Sequence, residues 1–148
     1  MNILLDAIPL DGLMTGISRY VRNLYLEIER LPGVTVHYYA GRSCTTTMPV
    51  QARPGPWMKA TSLVWKLPDP LAFGFRAVTW LSYELKVRRL IRRNSFSLYH
   101  ETAFTPSAVR DVPQVFTMCD LSLQKFREMH PKERVWFADF FLKRRLGY

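Results

Sequence analysis

Cysteine is scarce here: the 148 residues include two, Cys44 and Cys119, far apart and without a repeated spacing. They allow at most one disulfide, and two such thiols suit a reducing compartment. Metal-ligand spacing is also missing. No uncharged run approaches the ~20 apolar residues that a membrane span requires. The N-terminus is strand-like and carries an early Asp6, so it lacks the basic-then-apolar layout of a secretion signal. No internal repeat is visible. Acidic residues are the other shortage: twelve Asp and Glu face 21 Lys and Arg, leaving a formal charge of +9. That excess favours anionic partners, whether nucleic acid, an anionic membrane surface or phosphorylated small molecules, and does not choose among them. A soluble, cytoplasmic chain is expected.

What is present is a core-forming composition, 48% hydrophobic, sized for one domain or part of a larger one. Its clearest pattern lies in the first forty residues. Asn2-Ile3-Leu4-Leu5-Asp6 is a short apolar run of buried-strand type, and Val34 to Tyr39 is a second, rich in β-branched and aromatic residues. Between them Ile17, Tyr20, Val21, Leu24, Ile28 and Leu31 recur at helical spacing, and Pro32-Gly33 is the stop signal. This βαβ pattern predicts a Rossmann-like α/β fold: a mostly parallel sheet with helices on both faces. Its first turn sets helix N-terminal amides beside the strands' carboxyl ends, where α/β proteins bind anionic ligands.

Residues 42–56 collect Ser, Thr, Pro and Gly and read as a long loop. A short helix is predicted over 57–67 and the longest over 73–93, after the break at Pro68-Asp69-Pro70. The long helix carries two apolar stripes, one through Val78, Leu81 and Leu85, the other through Trp80, Tyr83, Val87, Leu90 and Ile91. Lys86, Arg88, Arg89, Arg92 and Arg93 crowd its end, where the helix dipole favours cations. The bland reading is a solvated face; the functional one is a contact with anionic lipid, where aromatic and basic residues interleave. Residues 96–99 form a strand pointing to His100-Glu101, and 114–118 form another running into Cys119-Asp120. Pro131 opens the last helix, with Val135, Phe137, Ala138, Phe141, Leu142 and Leu146 on its buried side.

The Gly16 turn is not a dinucleotide fingerprint, since no third glycine follows Gly12 and Gly16. Gly16 would let a phosphate or sugar approach the backbone, with the hydroxyls of Thr15 and Ser18 beside it; an ordinary helix start reads the same way. His100, Glu101 and Asp120 fall at predicted strand ends on the ligand side of an open sheet. His100 titrates near neutrality and can bond a sugar hydroxyl or a phosphate, or merely cap its strand. His37, inside a strand, and His130, beside Pro131, read as structural or turn residues.

Three blocks together resemble a known family. Met14-Thr15-Gly16-Ile17-Ser18-Arg19-Tyr20 with Asn23-Leu24, then Leu98-Tyr99-His100-Glu101, then Val115 to Ser122 with Glu128-Met129-His130-Pro131, resemble the N-terminal half of GT-B glycosyltransferases of retaining family 4 (group 1). The resemblance spans nearly the whole chain. It implies a two-domain hexosyltransferase that moves a sugar from a nucleotide-sugar donor to a saccharide or glycolipid acceptor, with no bound metal. Residues 1–148 would be the single N-terminal, acceptor-side domain, with the C-terminal nucleotide-sugar-binding domain outside the chain. By the same resemblance Gly16 approaches the donor diphosphate or the acceptor, and Arg19 lies near an anionic acceptor group. His100 bonds the transferred sugar, and Asp120 lines the cleft. His100 and Asp120 are thus the expected catalytic pair, with Gly16, Ser18, Arg19 and Glu101 binding substrate. Cys119 stands where the family often has histidine. The nucleotide-binding half, which stabilises the leaving diphosphate, is missing, so this chain alone is expected to be inactive. The whole enzyme would serve cell-surface polysaccharide synthesis, peripheral to the inner face of the plasma membrane. The alternatives are a non-catalytic nucleotide- or phosphate-binding α/β module and a basic nucleic-acid-binding protein. No helix-turn-helix, zinc or RNP-like pattern supports the last, so no nucleic-acid partner is expected.

Overall fold

Ile3, Leu4 and Leu5 are apolar on both sides of an extended chain, and only a central strand covered on both faces buries such a run. The computed structural model, which describes residues 1–50, 67–102 and 105–146, places them so. β1 (Asn2–Asp6) is followed by a 3-10 turn (Ile8–Leu10), α1 (Gly16–Ile28), β2 (Thr35–Tyr39) and β3 (Cys44–Thr45). α2 (Asp69–Arg93), β4 (Leu98–Glu101) and β5 (Gln114–Phe116) come next. A short α3 (Ser122–Lys125) and a 3-10 turn (Arg127–Met129) lead to α4 (Lys132–Phe137). That helix continues through a π-helical segment (Ala138–Leu142) into α5 (Lys143–Arg145).

The sheet order is β3-β2-β1-β4-β5. β1 pairs in parallel with β2 and β4, and β4 with β5. Only β3 is antiparallel, closing a hairpin on β2 through Tyr38–Thr45 and Tyr39–Cys44. The α/β class and mostly parallel sheet are as expected. Strand alternation sends Ile3 and Leu5 to one face, against Val21 and Tyr25 of α1. It sends Leu4 and, from β4, Tyr99 to the other, against Val87 and Ile91 of α2.

Several boundaries differ from the sequence reading. The predicted loop over 42–56 contains β3 among its described residues, and the helix predicted over 57–67 lies almost wholly outside them. α1 ends at Ile28, before Pro32-Gly33; Gly33, at φ 76°, makes the turn into β2 rather than the stop. α2 starts at Asp69, not 73, because a proline in the first helical turn removes only an amide that has no intrahelical acceptor. Of its two stripes, Val87 and Ile91 are buried while Val78, Leu81 and Leu85 stay exposed. β4 extends through His100 and Glu101, and β5 stops at Phe116, so Asp120 lies four residues past its strand rather than at its end.

α4 and the π segment bury Val135, Phe137, Ala138, Phe141 and Leu142, while Leu146 is exposed. Phe137 and Phe141 pack on Trp80 of α2, with ring centroids 5.7 and 4.9 Å away. Among the described residues no helix is long and apolar enough to cross a membrane.

Leu4 is fully enclosed and Leu85 is half exposed, so their truncations should separate. Leu4→Ala is expected to cost about 2–5 kcal/mol, read as a lower urea midpoint at unchanged slope, and Leu85→Ala about 0.5 kcal/mol or less. Equal losses would contradict the two-stripe assignment of α2.

Candidate functional site

Parallel strands share one carboxyl end, and β1 has neighbours reached by connections in both directions, so its end is the switch point where open sheets bind ligands. A cleft opens there, lined among others by Ile17, Thr102, Met118, Cys119, Asp120 and Leu142. Its enclosed space is only about 20 Å³, room for roughly one water, so any larger molecule would sit across the mouth.

One wall is the start of α1. Thr15 Oγ1 accepts from the Ser18 amide at 3.2 Å, and Ser18 Oγ accepts from the Thr15 amide at 3.2 Å, a reciprocal capping box. Ser18 Oγ also donates to the Pro9 carbonyl at 2.7 Å, and its side chain is buried. Ser18 therefore ties α1 to the preceding loop rather than facing a ligand. Gly16 is exposed, and a β-carbon there would meet nothing within 4 Å. Neither strain nor packing demands glycine; what it provides is open approach to the helix's first amides. Arg19 is exposed on the same turn.

Most of the remaining lining comes from the end of β5 and the stretch after it. Asp120 is exposed, and its Oδ1 accepts from the Ser122 amide at 2.9 Å and the Ser122 hydroxyl at 2.6 Å. Those bonds hold its carboxyl below the usual range, so it is ionised at neutral pH. The Cys119 thiol is pushed up, by burial and then by Asp120, and stays protonated.

His100 does not reach the cleft wall. It is 6% exposed, with Nδ1 bonded to the Tyr25 hydroxyl at 2.7 Å and Nε2 to the Thr117 hydroxyl at 2.7 Å. Burial lowers its pKa, so the ring is neutral near pH 7 and its two nitrogens play opposite hydrogen-bonding roles. It links α1 to Thr117, the residue just past β5, and does not line the cleft.

Glu101 is further inside still. Oε2 accepts from the Ser107 amide at 2.6 Å and Gln114 Nε2 at 2.9 Å, and Oε1 from the Ser107 hydroxyl at 2.7 Å. The carboxyl anchors the β4–β5 connection and is not open to substrate. Burial, despite those bonds and helped by Asp6 and Glu84, raises its pKa to about 8.

Sequence reasoning passed over Asp6, Tyr25, Tyr83, Thr102 and Thr117. Asp6 ends the central strand, fully buried, with Oδ1 taking bonds from the Tyr83 hydroxyl at 2.8 Å and the Ile8 amide at 3.1 Å. Its Oδ2 has no hydrogen-bond partner, and burial lifts its pKa to about 6. Thr102 Oγ1 donates to the Asp6 carbonyl at 3.1 Å. A charged residue closing an otherwise apolar strand was the available signal for Asp6; nothing local marked the others. His37 packs edge-on to Phe96, and His130 falls in the turn before α4, as their positions suggested.

The cleft thus brings together Ile17 at the start of α1, the buried Thr102 and the exposed Asp120 over an interlocked interior, while Gly16 and Arg19 are exposed in the first turn of α1 without lining it. Among the described residues, no group of three or more His, Cys, Asp and Glu is arranged to hold a metal ion. Comparison with protein-family models, with curated proteins and with solved structures finds no match to the chain.

Glu101 and Asp6 both have raised pKa values, so the folded chain keeps protons that the unfolded chain releases. Their stabilising contribution is complete below about pH 4 and is lost as pH rises through about 6 for Asp6 and about 8 for Glu101. Glu101→Gln keeps the same contacts, its carbonyl facing the two N–H donors and its amide facing the Ser107 hydroxyl. The variant should gain thermal stability relative to the parent between about pH 5 and about pH 8, then level off. A gap independent of pH would show that Glu101 is charged in the fold.

Proposed function

We propose that this chain is the acceptor-side half of a retaining GT-B glycosyltransferase, transferring a sugar from a nucleotide-sugar to a saccharide or glycolipid. The supporting observation is convergence. Ile17, from the block around Gly16, and Asp120, more than a hundred residues along the chain, line one cleft at the switch point, and His100 is bonded to Thr117 beside that lining.

In this reading the narrow cleft is one wall of an interdomain site. The α1 amides and Arg19 face anionic parts of the substrates, while the Asp120 carboxylate accepts from sugar hydroxyls. His100 is a positioning residue: through Thr117 and Tyr25 it fixes the distance between the two walls. The stabilisation of the leaving diphosphate falls to the nucleotide-binding half. A saccharide titration followed by amide NMR tests this: shifts should cluster at Gly16, Ile17, Arg19, Cys119 and Asp120, and free nucleoside diphosphate should bind feebly. Tight nucleotide binding without saccharide binding would instead favour a non-catalytic nucleotide module.

A glycolipid acceptor calls for contact with a membrane surface, and α2 offers one. Leu71, Phe75, Val78, Leu81 and Leu85 form an exposed apolar stripe, leading toward exposed Lys86, Arg89, Arg92 and Arg93. An apolar face with adjacent cations suits an anionic bilayer surface. Co-sedimentation with phosphatidylglycerol vesicles should occur at low salt and drop about tenfold in a Phe75→Asp, Leu85→Asp variant. Unchanged sedimentation would remove α2 as the contact.

A further inference from the structure

A second cavity lies between α2, the 108–110 segment and the π-helical turn. It measures about 330 Å³ and is lined by Arg88, Ala108, Arg110, Phe140, Phe141, Arg144 and Arg145. It shares no lining residue with the rim cleft: Leu142 faces the cleft, while Phe140 and Phe141 face this cavity. Among its described lining residues four are arginines and none is acidic. We propose that this cavity binds a phosphate group, as a phosphomonoester or a diphosphate, at a site separate from the rim.

Its cations are held in place before any ligand arrives. Glu84, buried in α2, pairs with Arg88 at 2.9 Å and with Arg145 at 3.2 Å, and accepts from the Ala108 amide at 3.2 Å. One carboxylate therefore orients two guanidinium groups and fastens the 108–110 segment against the helix. Arg145 is also stacked 5.1 Å from the Trp80 ring centroid, and its side chain is only 15% exposed. Arg144 donates to the Phe140 carbonyl at 2.7 Å and lies 4.0 Å over the Phe140 ring. Pre-set side chains lose little freedom on binding, which raises affinity for a given set of contacts.

The charge balance points to phosphate. Arg88, Arg144 and Arg145 against the single Glu84 charge leave two positive charges around one concavity. A carboxylate ligand would offset one of them, whereas a phosphate ester brings up to about two charges and three acceptor oxygens. Guanidinium forks match phosphate oxygens in pairs, and the buried Phe141 gives the cavity an apolar wall beside them. Arg88 Nε is buried with no hydrogen-bond partner. π-helical turns recur at binding sites, and this one carries the two aromatic residues of the wall.

The test uses the whole chain, with pyrophosphate and a hexose 1-phosphate as soluble probes in isothermal titration at about 0.15 M salt. Arg144→Gln leaves the Glu84 pairs intact. Arg30→Gln, at an exposed pair with Glu27, removes the same charge elsewhere. Saturable pyrophosphate binding should weaken about tenfold or more in Arg144→Gln and less than about twofold in Arg30→Gln. A parallel arm measures capture by phosphatidic-acid vesicles. Arg144-dependent binding to those vesicles alone would assign the phosphate to a lipid headgroup; the same dependence with soluble probes would assign it to a free metabolite. Absence of binding in both arms, or equal weakening by the two variants, would overturn the proposal. Neither result bears on saccharide binding at the rim.

Discussion

A parallel strand at the middle of a sheet has no free edge and no free face, and β1 occupies that position. Ile3 and Leu5 must meet one helix and Leu4 another, so α1 and α2 are forced to opposite sides. The same enclosure reaches the strand's last residue. Asp6 ends in a place where a charge is costly, and the Tyr83 hydroxyl and the Ile8 amide satisfy part of it. The chemistry of the rim is therefore shaped by the core beneath it.

Polar residues inside strand ends and those just beyond them have different fates. Glu101, still in register with Phe116, is committed to holding Ser107 and Gln114. His100, one residue earlier, is committed to Tyr25 and Thr117. Asp120 is past its strand and remains exposed, as do Gly16 and Arg19 at the opening of α1. The open chemistry belongs to the turns, and the strand ends keep those turns at a set distance.

The positive charge is likewise divided by geometry. Successive residues on a helix point about 100° apart. Arg88 consequently turns inward to Glu84 and the arginine-lined cavity, while Arg89 and Lys86 stay with the exposed stripe. One basic run thus supplies two surfaces. The buried Glu84 orients the inward one, and among the described residues no buried carboxylate plays that part for the apolar stripe.

The α/β class, the parallel β1–β2 pairing and the helical stretches followed from periodicity, because apolar spacing along a strand or a helix is a local property. The rim was legible as far as it depended on strand ends lying together. What the sequence could not specify was which polar residues would be enclosed. His100 and Glu101 read as accessible because their neighbours Tyr25, Ser107, Gln114 and Thr117 are 6 to 75 positions away in the chain. The two stripes of α2 were equally apolar as text; packing against Leu4 and Tyr99 buried one and left the other exposed. Pattern determined the elements, and only tertiary packing decided which side chains lost their water, since burial depends on partners brought from distant parts of the chain.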